Sequence, residues 1–133
     1  MCFVFYYSAS HCVHVKDLVE QDSEIQTCAF SPDGRVLVVG TNSGWLYAYN
    51  TSRDDVQLMT VTKDHASYIL DISFSSCGTL MASSASLGMR IWDVGETITS
   101  KCTFYAPVNR ADFVNEHTVV VGEATGKQLF LSF

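Results

Sequence analysis

Residue types that carry out chemistry are sparse in this 133-residue sequence. The only cluster of metal-ligand types is His11, Cys12 and His14. On a strand, Cys12 and His14 would point to one face and His11 to the other, so at most two of them could hold one ion, whereas a structural zinc takes four ligands. We therefore expect no metal site and interpret the segment as an edge strand that carries histidines.

Catalytic motifs are also absent from the sequence. No Ser, Cys or Lys lies in a recognisable nucleophile motif, and no pair of carboxylates shares a glycine-bounded loop. The segment GEATGK at 122–127 lacks the spacing of a phosphate-binding P-loop, and it lies between two strand-like runs rather than before a helix. The sequence thus predicts a protein that is not an enzyme and that has no cofactor.

Charge and hydrophobicity narrow the class of protein further. The net charge is −6 and the eight Lys and Arg residues form no cluster, which disfavours nucleic-acid binding because phosphate neutralisation needs clustered basic side chains. A hydrophobic content of 47% with 17% charged residues is typical of a globular domain. The apolar start MCFVFYY is much shorter than the ~20 residues that span a bilayer, so no membrane span is predicted.

The cysteines indicate a reducing compartment. They are odd in number and show no CxxC spacing, so we expect buried free thiols rather than disulfides or a metal site. A cytoplasmic location is the resulting prediction, with the nucleus as the alternative, and secretion is not expected. The five residues are Cys2, Cys12, Cys28, Cys77 and Cys102.

The strongest pattern in the chain is an internal repeat. Three segments, which begin at residues 25, 69 and 108, each contain a strand-like run, a polar turn, an apolar run, a glycine turn and a further strand-like run. Equivalent phenylalanines in these segments, Phe30, Phe74 and Phe113, are 44 and 39 residues apart. A period of roughly 40 to 45 residues with four short strands per unit is typical of β-propeller blades.

The second segment resembles a known family unit. It opens with Asp64-His65 and closes with Trp92-Asp93, and it is similar to a WD repeat, which opens with Gly-His and closes with Trp-Asp. In that family the His, a strand Ser or Thr, a turn Asp and the Trp form a buried hydrogen-bonded tetrad. The resemblance implies that His65, Ser83 and Trp92 are a remnant of this tetrad; the turn Asp is absent, and the turn is one residue short.

The resemblance also implies an all-β fold, a partial WD-repeat β-propeller in which two complete four-stranded blades are flanked by two partial blades. The expected division is 1–20 as the end of a preceding blade, 21–62 as repeat one, 63–105 as repeat two, and 106–133 as repeat three without its outer strand. We expect a loop over residues 15–21. Since propellers close into rings of about four to eight blades, we expect the C-terminal part of a larger propeller, or completion by a second chain.

The function implied by the resemblance is that of a non-catalytic scaffold or adaptor that binds other proteins. An alternative is a regulatory or sensing C-terminal propeller segment of a larger multidomain signalling ATPase or microtubule-associated protein. The ending VVVGEATGKQLFLSF and the phrase HASYI are faintly similar to such proteins.

Candidate partner-binding residues lie near the rim that WD-repeat propellers use. Trp45 follows a turn at a position where the family has a small polar residue, and exposed aromatic and Met side chains are typical of interface hot spots. Packing of these side chains against a neighbouring blade stays open as the alternative, because large apolar residues are mostly buried. The candidates are Asn42, Trp45, Tyr68, Leu87 and Met89.

Overall fold

The computed structural model shows a series of antiparallel β-sheets. It describes residues 2–7, 12–18, 24–52, 56–63, 65–123 and 125–133, with side chains from residue 24 onward. Thirteen strands and no helix occur in these ranges. A two-stranded sheet comes first, formed by β1 (Cys2–Tyr7) and β2 (Cys12–Leu18).

Three larger sheets follow, which we call blades one, two and three. Blade one contains β3 (Ile25–Phe30), β4 (Val36–Thr41), β5 (Trp45–Asn50) and β6 (Gln57–Lys63). Blade two contains β7 (Ile69–Phe74), β8 (Leu80–Ala85), β9 (Gly88–Val94) and β10 (Ile98–Phe104). Blade three contains β11 (Val108–Asn115), β12 (Thr118–Glu123) and β13 (Gln128–Ser132).

This architecture confirms the predicted fold class, two four-stranded blades flanked by two partial ones. The prediction of a loop over residues 15–21 is wrong in its first part, because β2 continues to Leu18 in pairing with Cys2 of β1. The rest of that segment, 19–21, lies outside the described residues.

The first hairpin of blades one and two closes through the same local chemistry. The Ser31 hydroxyl accepts a hydrogen bond from the backbone N–H of Val36 at 3.0 Å, and Ser75 accepts from that of Leu80 at 3.1 Å. In blade one, the Ser31 hydroxyl also donates to the Asp33 carboxylate and is the main cause that lowers the pKa of Asp33. Turn residues that bond their own backbone favour this geometry, so the SPDG segment is a turn former.

Each inner strand carries an irregularity at the same place. The pairing register shifts between Ile25 and Thr27 in β3, between Ile69 and Asp71 in β7, and between Val108 and Arg110 in β11. A β-bulge increases the local twist of a strand. The three blades therefore repeat one geometry as well as one sequence pattern.

The blades bury their apolar faces against one another at two contacts, which we call seam one (blades one and two) and seam two (blades two and three). The middle strands β4 and β8 are buried along almost their whole length, as expected for strands that are covered on both faces. The buried core of seam one is formed by Val38, Leu46, Ala48, Ile69, Ile72, Met81, Trp92 and Ile98. The buried core of seam two is formed by Leu80, Ala82, Met89, Ile91, Val108, Ala111, Val119 and Val121.

Three carboxylates cross seam two and accept hydrogen bonds from the opposite blade or turn. The bonds run from Ala111 N to Asp71 Oδ2 (3.3 Å), from Ser73 Oγ to Asp112 Oδ1 (3.2 Å) and from Thr79 Oγ1 to Glu116 Oε2 (3.1 Å). A hydrogen bond with the Cys77 side chain is the largest cause that lowers the pKa of Glu116, whereas burial raises the pKa of Asp71. These bonds fix the register between the two blades.

The cysteine side chains depart from the prediction. Cys28, Cys77 and Cys102 are free and exposed, so the expected burial is wrong for these three. Cys28 lies on the exposed side of the inner strand β3, Cys77 lies in the β7–β8 turn, and Cys102 lies on the outer strand β10. Cys102, whose strand partner is Ile91, lies at the exposed margin of seam two. The side chains of Cys2 and Cys12 are outside the described part.

Seam one depends on a small residue at Gly40. A Cβ atom at this position would lie 2.8 Å from Ile69 Cγ2. Gly122 has the equivalent register in blade three, because each glycine pairs with the residue that follows the bulge, yet no atom lies within 4 Å of its Cβ position.

We expect Gly40→Ala to lower the free energy of unfolding by about 1–3 kcal/mol, since the seam must shift to admit the methyl group. The matched control Gly122→Ala should change it by less than about 0.5 kcal/mol. Urea denaturation at low protein concentration measures both values. Equal losses in the two variants would contradict the close contact at seam one.

Candidate functional site

Loops at one end of blades one and two form a shared surface, which we call the rim. Gly44, with a φ of +89°, packs against the carbonyl oxygen of His65, so that a side chain there would collide with it. Ser67 Oγ lies 2.8 Å from Ser86 Oγ. A Cβ at Gly88 would lie 2.7 Å from the carbonyl oxygen of Phe104. The β4–β5 turn, the β6–β7 connection, the β8–β9 turn and the start of the β10–β11 connection are thus neighbours.

Trp45 stands at the edge of the rim and is half-buried. Its ring centroid is 6.4 Å from that of Tyr47, and the Lys63 ammonium lies 5.8 Å from the Trp45 centroid, within range of a cation–π contact. Its backbone N–H donates to Thr41 Oγ1 at 3.0 Å. The indole is therefore held in place, partly packed and partly accessible.

Three other large side chains project from the rim. The exposed fractions are 54% for Tyr68, 66% for Leu87 and 83% for Tyr105. Tyr105 is absent from the residues that the sequence indicates, although its place directly before Ala106-Pro107 signals a connection between strands. We call Trp45, Tyr68, Leu87 and Tyr105 the rim patch.

The other two candidate binding residues from the sequence, Asn42 and Met89, are partly or fully buried by contacts within the chain. Asn42 lies in the rim but is half-buried; its Oδ1 accepts from the N–H of Glu24 at 3.3 Å, and its N–H donates to the carbonyl of Glu24 at 2.9 Å. Met89 is only 2% exposed. The expectation of an exposed Met89 is wrong, because the second residue of β9 faces seam two and packs in its core.

A buried hydrogen-bonded network connects the rim to the strands of blade two. His65 Nε2 lies 2.9 Å from Ser83 Oγ, and the indole N–H of Trp92 donates to the same oxygen at 2.9 Å. All three residues are buried. The structure thus brings together the three residues that the family resemblance indicates, and they tie the β6–β7 connection to β8 and β9.

This network is not arranged for catalysis, although it contains a Ser–His pair. Ser83 is fully buried, and its oxygen already accepts the Trp92 indole N–H. A nucleophile needs access to its substrate and a free trajectory for attack. The Ser83 hydroxyl therefore has a positioning role.

Blade one carries apolar residues where blade two has the network. By strand register, Val39 stands at the position of Ser83, and Tyr49 at that of Trp92. Val39 and Tyr49 pack with Leu37 and Val56 in a separate buried cluster. Valine has no polar side-chain atom, so blade one lacks the serine-centred hydrogen bonds of blade two.

The described residues give little support to phosphate binding, metal binding or a membrane-spanning helix. In the GEATGK segment, the N–H of Glu123 donates to Lys127 O at 2.9 Å and that of Gly126 to Glu123 O at 3.0 Å, so these two amides close a hairpin and do not cradle a phosphate. Within the described ranges, no three His, Cys, Asp or Glu residues are grouped so as to hold a metal ion. The same part of the chain contains no helix of the length and apolarity that a membrane span requires.

Comparison with known proteins places this geometry in a family. The family model described as WD domain, G-beta repeat matches residues 10–50 and 56–93, well over half of the chain. The chain belongs to the WD-repeat family. WD-repeat domains generally mediate protein–protein interactions.

Several curated proteins are similar to this WD-repeat chain. The Protein LST8 homolog of Drosophila melanogaster is 30% identical over 95 residues, which cover 67% of this chain and 30% of that protein. The WD repeat-containing protein 55 homolog of Aedes aegypti is 28% identical over 116 residues, 83% of this chain and 24% of that protein. Human Echinoderm microtubule-associated protein-like 3 is 26% identical over 83 residues, 60% of this chain and 9% of that protein. The chain spans less than a third of the length of each.

Two neighbouring serines in β8 allow the network to be tested by one type of substitution. Ser83→Ala removes the acceptor of the Trp92 indole N–H, and we expect it to lower the free energy of unfolding by about 1–3 kcal/mol. Among the described residues, Ser84 Oγ is buried and has no hydrogen-bond partner. Ser84→Ala should therefore leave stability unchanged or raise it by up to about 1 kcal/mol. Chemical denaturation compares the two variants, and a loss of the same size in both would contradict a role for the network.

Proposed function

We propose that this WD-repeat chain is a non-catalytic scaffold or adaptor that binds another protein through the rim patch. The observation that carries the proposal is the exposure of Tyr68, Leu87 and Tyr105 on adjacent loops. Scattered apolar side chains are common on protein surfaces, but large ones grouped on one surface are typical of interaction sites.

Two of the loops that carry the patch are held together by contacts within the chain. Gly44 packs on the His65 carbonyl, and His65 is held through Ser83. Rigid loops lose little conformational entropy on binding, so more of the contact energy contributes to affinity. Tyrosine adds a large apolar area with few rotatable bonds, and its hydroxyl can donate or accept a hydrogen bond.

The chemistry of the rim favours a partner surface of mixed character. Tyr68, Tyr105 and Leu87 supply apolar contact, and the Lys63 ammonium beside Trp45 supplies a positive charge at the margin. We propose that the partner presents apolar side chains next to an acidic group. We also propose that binding occurs in the cytoplasm, with the nucleus as the alternative, and that the rest of a propeller ring or a second chain completes the fold.

A second candidate is a regulatory or sensing segment within a larger signalling ATPase or microtubule-associated protein. One observation favours a microtubule-associated protein, namely the similarity to Echinoderm microtubule-associated protein-like 3. Co-sedimentation of the chain with polymerised tubulin tests that setting. Absence of the chain from the pellet would count against it and leave the rim proposal intact.

The rim proposal is tested by the double variant Tyr68→Ala/Tyr105→Ala. We expect it to reduce recovery of the specific partners at least about tenfold in quantitative affinity purification, because two aromatic hot spots are removed. Leu58→Ala is the control, since Leu58 is exposed to a similar degree on the outer strand β6. Thermal unfolding of each variant checks the fold. Unchanged recovery with the double variant, or an equal loss with Leu58→Ala, would contradict the proposal.

A further inference from the structure

A groove lies between blades one and two at the end opposite the rim, and we call it the lower groove. It is lined by the β3–β4 and β7–β8 turns, the start of the β5–β6 connection and the β9–β10 turn, and its volume is about 410 Å³. Ligand pockets in proteins span roughly 300–1,000 Å³. Blades one and two each contain four strands, so both walls of the groove belong to complete blades.

The floor of the lower groove is apolar. It includes Val36, Met59 and Val94, which are partly buried and pack against the core of seam one. The pairing of β6 with β5 shifts register at Met59, which has no partner on β5. A β-bulge of this kind redirects a side chain, and a flexible Met side chain adapts its shape to the group that it contacts. The floor is therefore suited to an apolar side chain of a ligand.

Charged side chains surround the mouth of the groove. Asp33 and Arg35 come from the β3–β4 turn and Glu96 from the β9–β10 turn, and all three are exposed. Arg35 Nε lies 3.9 Å from Asp33 Oδ2, so the guanidinium offsets one of the two carboxylates. The three side chains together leave one negative charge in excess, and the chain as a whole has a net charge of −6. This field favours a cationic ligand.

Blade two fills the equivalent place with a cation of its own. By register, Asn50 corresponds to Asp93. Met59 corresponds to Lys101, since the strand pairing skips each of them at the same point of the outer strand. Lys101 Nζ lies 3.3 Å from Asp93 Oδ1, so an ammonium group of the chain itself occupies this place in blade two. In blade one both positions are uncharged, and the carboxylates at the mouth receive no such lysine.

We propose that the lower groove binds a short extended segment of a partner protein that carries an apolar residue and, two positions away, a Lys or Arg. The apolar side chain lies on the floor formed by Val36, Met59 and Val94, and the cation pairs with the carboxylates of Glu96 and Asp33. Side chains two positions apart in an extended segment point to the same side, so both contacts form together. A nucleic acid does not fit this site, because its phosphates would meet the carboxylates.

The lower groove is separate from the rim patch. The six-residue strand β4 runs from the groove at Val36 to the rim at Thr41. At about 3.3 Å per residue, the two surfaces are roughly 17 Å apart. The inference therefore does not depend on the proposed function, and each can fail alone. A segment that contacts the groove through a few side chains should bind weakly, with a Kd on the order of 100 µM.

Fluorescence polarisation of short labelled peptides with the 133-residue chain tests the proposal. Each peptide has Leu, Ile, Met or Phe at one position and Lys, Arg or Glu two positions later, in an otherwise Gly–Ser sequence. The peptides with Lys or Arg should bind with a Kd on the order of 100 µM. Those with Glu should bind at least about tenfold more weakly, because attraction at the mouth becomes repulsion.

Variants of the chain locate the binding site. Glu96→Gln should weaken binding of the Lys peptides about threefold to fivefold, the effect of one exposed ion pair. Glu24→Gln is the matched control, an exposed glutamate at the rim end, and it should bind like the wild type. The double variant Asn50→Asp/Met59→Lys introduces the ion pair of blade two into the groove without changing the net charge. It should weaken binding at least about tenfold.

Thermal unfolding shows whether the variants are folded, and the double variant should be, since blade two contains the same pair at the same register. Absence of binding by every peptide below about 1 mM would overturn the proposal. Equal binding of the Lys and Glu peptides would overturn the role of the carboxylates. Binding that survives the double variant, or that Glu24→Gln weakens as much as Glu96→Gln, would overturn the assignment to the lower groove.

Discussion

Face-to-face burial between neighbouring sheets is the interaction on which the other features of this chain depend. A single antiparallel sheet with apolar residues on both faces cannot shield them alone, and in blade two both faces are covered. Full burial of one Ile or Met side chain stabilises by about 1.5–3 kcal/mol, and Ile69, Met81 and Ile91 all reach it. A typical hydrogen bond contributes a net of about 1 kcal/mol. The seams therefore provide most of the stability, and the polar contacts determine which arrangement forms.

The comparison between blades one and two separates these two contributions. Blade one has Val39 and Tyr49 at the positions of Ser83 and Trp92, yet it forms the same four strands with the same bulge. A serine at the position of Ser83 is thus not required to form a blade. In blade two the hydrogen-bonded network has a more local effect, since it connects His65 of the rim to the core. Trp92 links the two contributions, because it packs in the core of seam one and also donates its indole N–H to Ser83.

The sequence predicts features that local chemistry decides, and it misses those that depend on the neighbouring sheet. Repeat period and turn residues locate the first residues of β3 and β7 correctly, because both signals lie within a few positions of each strand. Alternation along β9 indicates two faces, but it does not show that seam two covers the one with Met89. The predicted burial of Cys28 is wrong for the opposite reason, because no sheet covers the side of β3 on which Cys28 lies. The sequence pattern misses Tyr105 because this residue lies in the connection between β10 and β11, where side chains do not alternate between two faces.

Native-state hydrogen exchange of β8 and β12 tests most directly whether seams stabilise the stack. Both are middle strands with hydrogen-bonded partners on each side, but β8 is covered on both faces, whereas Val120 of β12 faces outward and is only half-buried. In dilute, monomeric protein, we expect the amides of β8 to exchange at least about tenfold more slowly than those of β12, since opening β8 exposes two seams. Equal protection of the two strands would contradict the account, because strand pairing alone would then explain the stability.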